Sequence, residues 1–281
     1  MNKTLLTLST LLLLSFNSYS VEIKEIDSVQ LKNGLAYEKG QETPFTGTYL
    51  KKNDDKGNKF FTESYIDGVL ISINTWYEDG SKFSEAEYKN GKINGYLKSW
   101  HKNGKLSANS NIKNNKEHGV TTKYYKNGNK KSEGLYDNGK MLEVTHWDED
   151  KDKTVNVKYN GLLNPITMTK WHKNGQKKGV AHYKNRMKHG IFILWHENGN
   201  KKSETNFVND KWNGLKTTWR ENGIVKSETN YSDNIMNGLS TTYFSNGSKE
   251  FERHMKNNKT VSYTMWDKDG NKVLEVDMSK K

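Results

Sequence analysis

A repeat of 23 or 24 residues constrains the fold of this chain more than any other feature of its sequence. The clearest copies lie between Gly190 and Tyr231, where a glycine is followed by alternating residues, a tryptophan and an Asn-Gly pair. The interval of 47 residues between Gly128 and Gly175 corresponds to two periods. A fixed period of this length is the signature of a repeat architecture. The turn glycine after the aromatic residue recurs at Gly57, Gly80, Gly104, Gly128, Gly175, Gly199, Gly223, Gly247 and Gly270.

An aromatic residue occupies the position four residues before the turn glycine of a unit. Because one unit cannot bury its aromatic side chain alone, neighbouring units must stack to cover these rings. We therefore predict that this row forms the structural core of the repeat. The alternative is a ladder of rings that binds sugars or quaternary ammonium groups. The row comprises Trp76, Trp100, Tyr124, Trp147, Trp171, Trp195, Trp219, Tyr243 and Trp266.

Residues alternate in character on both sides of the turn. Before it, odd positions are aliphatic, β-branched or aromatic, as in Leu215 and Trp219, which is the period of a half-buried strand. After it, small residues and then an aromatic residue, as in Ser227 and Tyr231, alternate with Lys and Glu. We expect the small residues to leave room for the facing tryptophan, and the Lys and Glu positions to face solvent.

The Asn-Gly pair between two alternating runs predicts a β-hairpin, because both central residues of a type I′ turn need a positive φ. The sequence thus predicts an all-β fold. Successive hairpins would stack into an elongated antiparallel meander of about nine to ten repeats. A sheet with so many strands should be a single twisted, ribbon-like sheet rather than a flat one.

The unit resembles the variant MORN (membrane occupation and recognition nexus) repeat of bacterial proteins. Residues 36–49, which include Pro44 and Phe45, are similar to the usual first unit of that family, and the resemblance extends over roughly residues 29 to 278. It implies an elongated sheet of stacked hairpins. Some bacterial members are described as antitoxin-like partners of secreted toxins, which implies a protein partner. Others are labelled phosphatidylinositol-phosphate kinases only because plant kinases carry MORN repeats.

The N-terminus and one internal unit depart from the repeat. Residues 1–20 are typical of a secretory signal peptide, with an apolar stretch at Leu5–Phe16 and small residues before Val21; an uncleaved anchor is the alternative. This segment predicts export to the periplasm, the cell surface or the medium. Residues 21–56 are expected to form a capping unit, followed by repeats over 57–281. Within them, residues 141–166 are a degenerate unit, either a decayed repeat or a kink or ligand loop.

The sequence contains no recognised catalytic motif and no cysteine. Equivalent positions in neighbouring hairpins lie roughly 9–10 Å apart, too far for the recurring histidines to share a metal ion. The recurring glutamates are expected to pair with lysines across strands. We therefore expect no enzyme, no cofactor, no metal and no small-molecule substrate. The recurring histidines are His101, His172 and His196, and the recurring glutamates are Glu85, Glu133, Glu204, Glu228 and Glu252.

The net charge of +12 favours anionic neighbours. The main hypothesis is an exported, non-enzymatic scaffold that binds a protein, with an antitoxin-like or immunity-like role as one version. The alternative is an envelope-binding module for anionic lipid or polysaccharide. Nucleic acid is disfavoured because no motif for it accompanies the charge, and an enzyme using the acidic loop Asp148–Asp152 is the third hypothesis. The lysines predicted to contact an anionic partner are Lys130, Lys131, Lys177, Lys178, Lys201 and Lys202.

Overall fold

The computed structural model describes residues 29–52 and 59–278. The predicted signal peptide, residues 21–28 and the turn glycine Gly57 lie outside this part of the chain. In the described residues every regular element is a β-strand, and no helix is present that could span a membrane. The strands are β1 (Val29–Lys32), β2 (Leu35–Glu38), β3 (Gly47–Lys52), β4 (Lys59–Ile66), β5 (Val69–Trp76), β6 (Lys82–Lys89), β7 (Lys92–Trp100), β8 (Leu106–Lys113), β9 (Lys116–Tyr124), β10 (Lys130–Asp137), β11 (Lys140–Trp147), β12 (Lys153–Tyr159), β13 (Pro165–Trp171), β14 (Lys177–Lys184), β15 (Met187–Lys188), β16 (Gly190–Trp195), β17 (Lys201–Val208), β18 (Lys211–Trp212), β19 (Gly214–Trp219), β20 (Val225–Ser232), β21 (Ile235–Tyr243), β22 (Lys249–Lys256), β23 (Lys259–Trp266) and β24 (Lys272–Asp277).

Strands β3 to β24 form one antiparallel sheet of 22 strands that follows the chain as an open meander. The predicted all-β meander of stacked hairpins is therefore confirmed. Two hairpin arms are interrupted, because β14 pairs with both β15 and β16, and β17 pairs with both β18 and β19. Each of the strands β4 to β13 and β20 to β23 pairs with the strand before it and with the strand after it in sequence.

The hairpin of β1 and β2 lies outside the main sheet and packs against its first strands. The Ala36 N–H donates to the Gly68 carbonyl at 2.9 Å, and the Phe45 N–H donates to the Ala36 carbonyl at 2.8 Å. The side chains of Ala36, Phe45 and Tyr65 form a buried cluster. These contacts join the described part of the predicted capping unit to the first repeats.

The two turns of each unit differ in backbone geometry. At the turn glycine only the glycine has a positive φ, as at Gly128 with 91°. The Gly128 N–H donates to the Tyr125 carbonyl, and the Tyr125 N–H donates to the Asn129 carbonyl, both at 2.9 Å. This geometry is a type I turn followed by a glycine in the left-handed region, which forms a β-bulge. The extra residue of the bulge restores the twist of the strands. The expected type I′ geometry at the Asn-Gly pair is therefore wrong.

The type I′ pattern belongs instead to the second turn of the unit. There two consecutive residues have positive φ, and asparagine, aspartate and glycine adopt this backbone at the lowest cost. The pairs are Asp67-Gly68, Asn90-Gly91, Asn114-Asn115, Asn138-Gly139, Asn185-Arg186, Asn209-Asp210, Asp233-Asn234 and Asn257-Asn258.

Turn side chains also connect consecutive units at both edges of the sheet. Asn198 accepts a hydrogen bond from the Asn200 N–H at 3.0 Å and donates to the Glu221 carbonyl of the next unit at 2.7 Å. At the opposite edge, Asn234 accepts a hydrogen bond from the Trp212 N–H at 2.6 Å. The first of these arrangements recurs at Asn103, Asn127, Asn174 and Asn246.

The strand registers divide the side chains into two faces. The tryptophan face carries the aromatic row that precedes the turn glycines, together with the recurring glutamates, since Thr217 lies opposite Glu228. The tyrosine face carries the small residues and the aromatic residue eight positions after the turn glycine, since Thr218 lies opposite Ser227. The expectation that the small residues face the tryptophan is therefore wrong.

The small residues leave room for an aromatic ring of their own strand. A Cβ atom placed on Gly134 would lie 2.6 Å from a ring carbon of Tyr136, two residues further along. The central row of the tyrosine face is consequently buried by its flanking rings and contains short side chains. Its buried hydrophobic members include Ala86, Val144, Val157 and Ala181.

The degenerate unit keeps the geometry of the other units at its glycine turn, whereas its second turn is a longer loop in which Gly161 and Leu163 have positive φ. Lys151 occupies the glycine position with a φ of 75°. The Asp148 N–H donates to the Asp152 carbonyl at 3.0 Å, as the equivalent residues do in other units. Residues 141–166 therefore contribute ordinary strands to the sheet.

We expect Lys151→Gly to stabilise the protein by about 1 kcal/mol, since a left-handed backbone costs roughly that much for a residue with a Cβ. Gly175→Ala should destabilise it by a similar amount. Gly175 has a φ of 81° and no atom within 4 Å of an added Cβ, so only backbone strain changes. Urea unfolding followed by tryptophan fluorescence measures both effects. Gly175→Asn is the matched control, because asparagine tolerates this backbone; a Lys151→Gly variant no more stable than wild type would contradict the account.

Candidate functional site

The nine aromatic residues predicted as core lie in a row along the margin of the tryptophan face that adjoins the glycine turns. Each of them is only partly buried. The buried hydrophobic side chains of the described chain occupy other positions. In the described part of the chain no second sheet or helix covers this face. The row is thus a half-exposed aromatic surface.

A lysine and a glutamate accompany four of the nine rings of this row. In one unit, Lys201 Nζ lies 2.7 Å from a Glu204 carboxylate oxygen and 5.5 Å from the centre of the Trp219 ring in the next unit. A cation above an aromatic face is attracted by the negative charge density of the ring. Each such ring therefore already has a cation of the same chain as its partner. The arrangement recurs at Lys82, Glu85 and Trp100; Lys130, Glu133 and Trp147; and Lys249, Glu252 and Trp266.

A bulge explains how this lysine reaches the tryptophan face. Residues three apart in a regular strand point to opposite faces. In each of these units the register shifts at the aromatic residue before the turn, for example between Leu194 and Trp195, so that one residue of the next strand is extra. The bulge turns Lys201 toward Glu204. The expectation that the glutamates pair with lysines across strands is wrong for these units, because the ion pairs form within one strand.

The six lysines predicted to contact an anionic partner have different surroundings. Lys130 and Lys201 are held in the ion pairs described above, and Lys131 lies 5.4 Å from the centre of the Tyr125 ring. Lys177 has no ion-pair partner among the described residues. Lys178 and Lys202 line an open groove of about 520 Å³, together with Trp195, His172, His196, Glu197 and Glu221.

The recurring histidines connect neighbouring units. His172 and His196 are within 3.0 and 3.1 Å of the carbonyl oxygens of Trp195 and Trp219, one unit further along. Their side chains are only 11% and 13% exposed, because they lie between neighbouring units. His101, Tyr77, Tyr125 and Arg220 make the same contact in other units. No group of three or more His, Asp or Glu side chains in the described ranges is arranged to hold a metal ion.

Two glutamates of the tryptophan face accept hydrogen bonds from tyrosines. Tyr96 donates to Glu85, and Tyr243 donates to Glu228 at 2.7 Å. The bond to the Glu85 carboxylate, with burial, raises the pKa of Tyr96 to about 12. Burial, followed by the bond to Glu228, raises the pKa of Tyr243 to about 12. The pKa of Glu85 is lowered, because bonds from Lys82 and Tyr96 outweigh the opposing effect of burial.

Aliphatic side chains line the opposite margin of the tryptophan face. Ile191, Leu215 and Leu239 are exposed by 50%, 47% and 41%, and each lies opposite an asparagine or histidine of the next strand. The alternation of residue types in the sequence predicted that these positions lie on a half-buried face of the sheet. They are exposed because no other described element packs over them. Exposed apolar side chains grouped in this way are typical of an interaction surface.

The model of the MORN repeat variant matches four segments of the sequence, residues 117–138, 166–185, 188–209 and 236–257. Each segment contains one hairpin of the sheet, with a turn glycine at its bend: Gly128, Gly175, Gly199 and Gly247. The chain is a MORN-repeat protein. MORN repeats generally serve as binding scaffolds, so the uncovered faces of the sheet are the candidate site.

Among solved structures, the MORN-repeat chain is similar to a chain of the TcdB2–TccC3–Cdc42 structure at 10% identity and a TM-score of 0.21. A structure of the Photorhabdus luminescens Tc holotoxin pore matches at 10% identity and a TM-score of 0.19. Each match covers 87% of this chain and 16% of the other, so the chain spans about a sixth of their length. No curated protein matches the sequence.

Glu85→Gln should lower the pKa of Tyr96 from about 12 toward its ordinary value of 10.0, because the largest cause of the shift is the bond to this carboxylate. The raised pKa favours the neutral tyrosine in the folded state. Its contribution to stability is thus complete below pH 10 and lost as the pH rises through 12. Titration of ¹³C-labelled tyrosine by NMR measures the change. Glu228→Gln should lower the pKa of Tyr243 by less, because burial is the main cause of the shift there. An unchanged pKa of Tyr96 in Glu85→Gln would show that the hydrogen bond to Glu85 does not cause the shift.

The pairing of Lys201 with Trp219 can be measured by a double-mutant cycle with Lys201→Met and Trp219→Leu. We expect a coupling free energy of about 0.5–1 kcal/mol, the usual strength of a cation above an exposed ring. Lys211 and Trp219 provide the control pair, since Lys211 has no ring contact in the described structure. Coupling of the same size in both cycles would mean that Lys201 does not act through the ring.

Proposed function

We propose that this MORN-repeat protein is an exported, non-enzymatic scaffold whose tryptophan face binds another protein. The observation that carries the proposal is the exposed aliphatic margin of that face at Ile191, Leu215 and Leu239. It runs parallel to the half-exposed aromatic row. Aromatic side chains are enriched at protein interfaces, and exposed groups of apolar side chains mark interaction surfaces.

The charges between the two margins also support a protein partner. Four of the five recurring glutamates form ion pairs with lysines of the same strand, as at Lys249 and Glu252, 2.6 Å apart, and Glu228 accepts a hydrogen bond from Tyr243. A partner therefore meets paired charges rather than a broad field of one sign. An antitoxin-like partnership is one version of the proposal and rests on the family resemblance.

A second candidate is the binding of anionic lipid or polysaccharide. The observation that favours it is the group of exposed lysines without ion pairs at Lys177, Lys178 and Lys202. Contacts of this kind weaken as ionic strength rises, whereas buried apolar contacts do not. Salt dependence therefore separates the two candidates.

The test is capture of partners from the protein's own cells by wild type and by Ile191→Ser/Leu215→Ser/Leu239→Ser. We expect one stoichiometric protein that survives a high-salt wash, and at least about tenfold weaker capture by the variant, equivalent to 1.4 kcal/mol. Because these side chains are exposed, thermal stability should change little.

The matched control is Leu162→Ser/Leu163→Ser/Ile235→Ser. These residues are exposed by 69%, 58% and 39% but lie in or beside turns, so their loss should leave capture unchanged. Equal capture by all three proteins would exclude the aliphatic margin as the binding surface. Recovery of only lipid or polysaccharide, lost at high salt, would favour the second candidate.

A further inference from the structure

The central row of the tyrosine face changes its chemistry along the chain. From Ile73 as far as Phe192 it contains apolar or small residues, among them Ala86, Val144, Val157 and Ala181. Glu63, which precedes Ile73 in the row, accepts a hydrogen bond from the Tyr65 hydroxyl at 2.7 Å. Beyond Phe192 it becomes polar and positively charged. We define the cationic track as Thr205, Lys216, Thr229, Ser240 and Arg253, which lie on β17, β19, β20, β21 and β22.

The strand registers align these five residues. Lys216 lies opposite Thr229, Thr229 opposite Ser240, and Ser240 opposite Arg253. Thr205 adjoins Lys216, because the preceding residue Glu204 lies opposite Thr217. Neighbouring strands are about 4.8 Å apart, so three steps place Lys216 and Arg253 roughly 14 Å from each other.

The two cations of the track have no carboxylate partner among the described residues. The nearest glutamates are Glu204, Glu228 and Glu252, on strands β17, β20 and β22 of the track. Their side chains belong to the tryptophan face. Lys216 Nζ lies 3.8 Å from the centre of the Trp212 ring, and burial lowers the pKa of Lys216.

The guanidinium of Arg253 lies 5.0 Å from the centre of the Phe251 ring. The titratable side chains beside it on this face are tyrosines such as Tyr263. Both cations are thus oriented by aromatic rings, and neither is neutralised by an acid.

A buried hydroxyl group in the track also lacks a partner. Thr205 is 4% exposed, and its Oγ1 makes no hydrogen bond. The Nε atom of Arg253 is likewise buried without a partner. Buried polar atoms nearly always have one, and an unpaired group costs about 1–3 kcal/mol. The track therefore has unused hydrogen-bonding capacity beside two unpaired charges.

We propose that the cationic track binds an extended acidic segment of a partner protein, with carboxylates at positions i and i+4. In an extended chain these two side chains point the same way and are about 13.6 Å apart, which matches the spacing of Lys216 and Arg253. Charge-assisted hydrogen bonds from both cations would hold the carboxylates. This surface is on the opposite side of the sheet from the proposed protein-binding face, so it stands independently of that proposal.

The probe for this site is a fluorescein-labelled peptide of about ten residues, rich in Thr and with Asp at positions i and i+4. Fluorescence anisotropy with the full chain should show saturable binding. Replacing both Asp residues by Asn should weaken binding at least about tenfold, as expected for loss of a charged hydrogen bond. Because this comparison uses the wild-type protein, folding of a variant cannot confuse it. Equal affinity for the two peptides, or no saturable binding, would overturn the proposal.

Variants then locate the site. Lys216→Met and Arg253→Met keep an apolar stem and should each weaken binding of the Asp peptide about tenfold. Lys211→Met makes the same change of charge at an exposed position of β18, beside the turn of the same hairpin, and should have no effect. Equal losses in Lys211→Met and Lys216→Met would show attraction by net charge alone and would overturn the assignment. Binding of phosphatidylserine vesicles in place of the peptide would do the same.

Discussion

Hydrogen bonding between consecutive strands is the interaction on which the rest of this structure depends. Apart from the β1–β2 hairpin at its first strands, the sheet has no second layer in the described part of the chain. The buried members of its central row are small, such as Ala86 and Ala181. A thin apolar layer of this kind gives each unit little stability of its own. Each hairpin must therefore be held by the hairpins on either side, as is usual in repeat proteins. The turn side chains add to this, because His196 and Asn198 reach carbonyl groups of the next unit.

The same constraint separates the roles of the two faces. On the tyrosine face, rings lean over short side chains of their own strand, as Tyr136 does over Gly134, so the central row is buried without a covering layer. On the tryptophan face, a bulge brings lysine, glutamate and tryptophan together in four units, in a polar and half-exposed arrangement. Stability and partner binding can thus vary independently on the two sides. A change at Leu215 alters an exposed surface, whereas a larger residue at Ala181 would disturb the sheet itself.

Much of the fold could be predicted from the sequence because the period and the alternation are properties of local residue order. The regular turn glycines located the hairpins, and paired hairpins of constant length permit little besides a meander. The predictions that were wrong concern geometry that alternation does not encode. A bulge changes which way Lys201 points, and the alternation of residue types does not reveal it. The Asn-Gly pair occurs in more than one turn type, and only the bulge decides between them. Contacts between units, such as that of His172, depend on the stacking of hairpins 23 residues apart.

The assignment of the two faces can be tested most directly by introducing cysteine pairs, because the natural chain contains no cysteine. Thr218 lies opposite Ser227, with their hydroxyl oxygens 2.6 Å apart, whereas Thr217 belongs to the other face. Disulfides form only when the Cβ atoms face each other within about 4.5 Å. We expect Thr218→Cys/Ser227→Cys to oxidise to an intramolecular disulfide, detected by mass spectrometry under non-reducing conditions. We expect no disulfide in Thr217→Cys/Ser227→Cys, and the reverse result would contradict the division of the sheet into a tryptophan face and a tyrosine face.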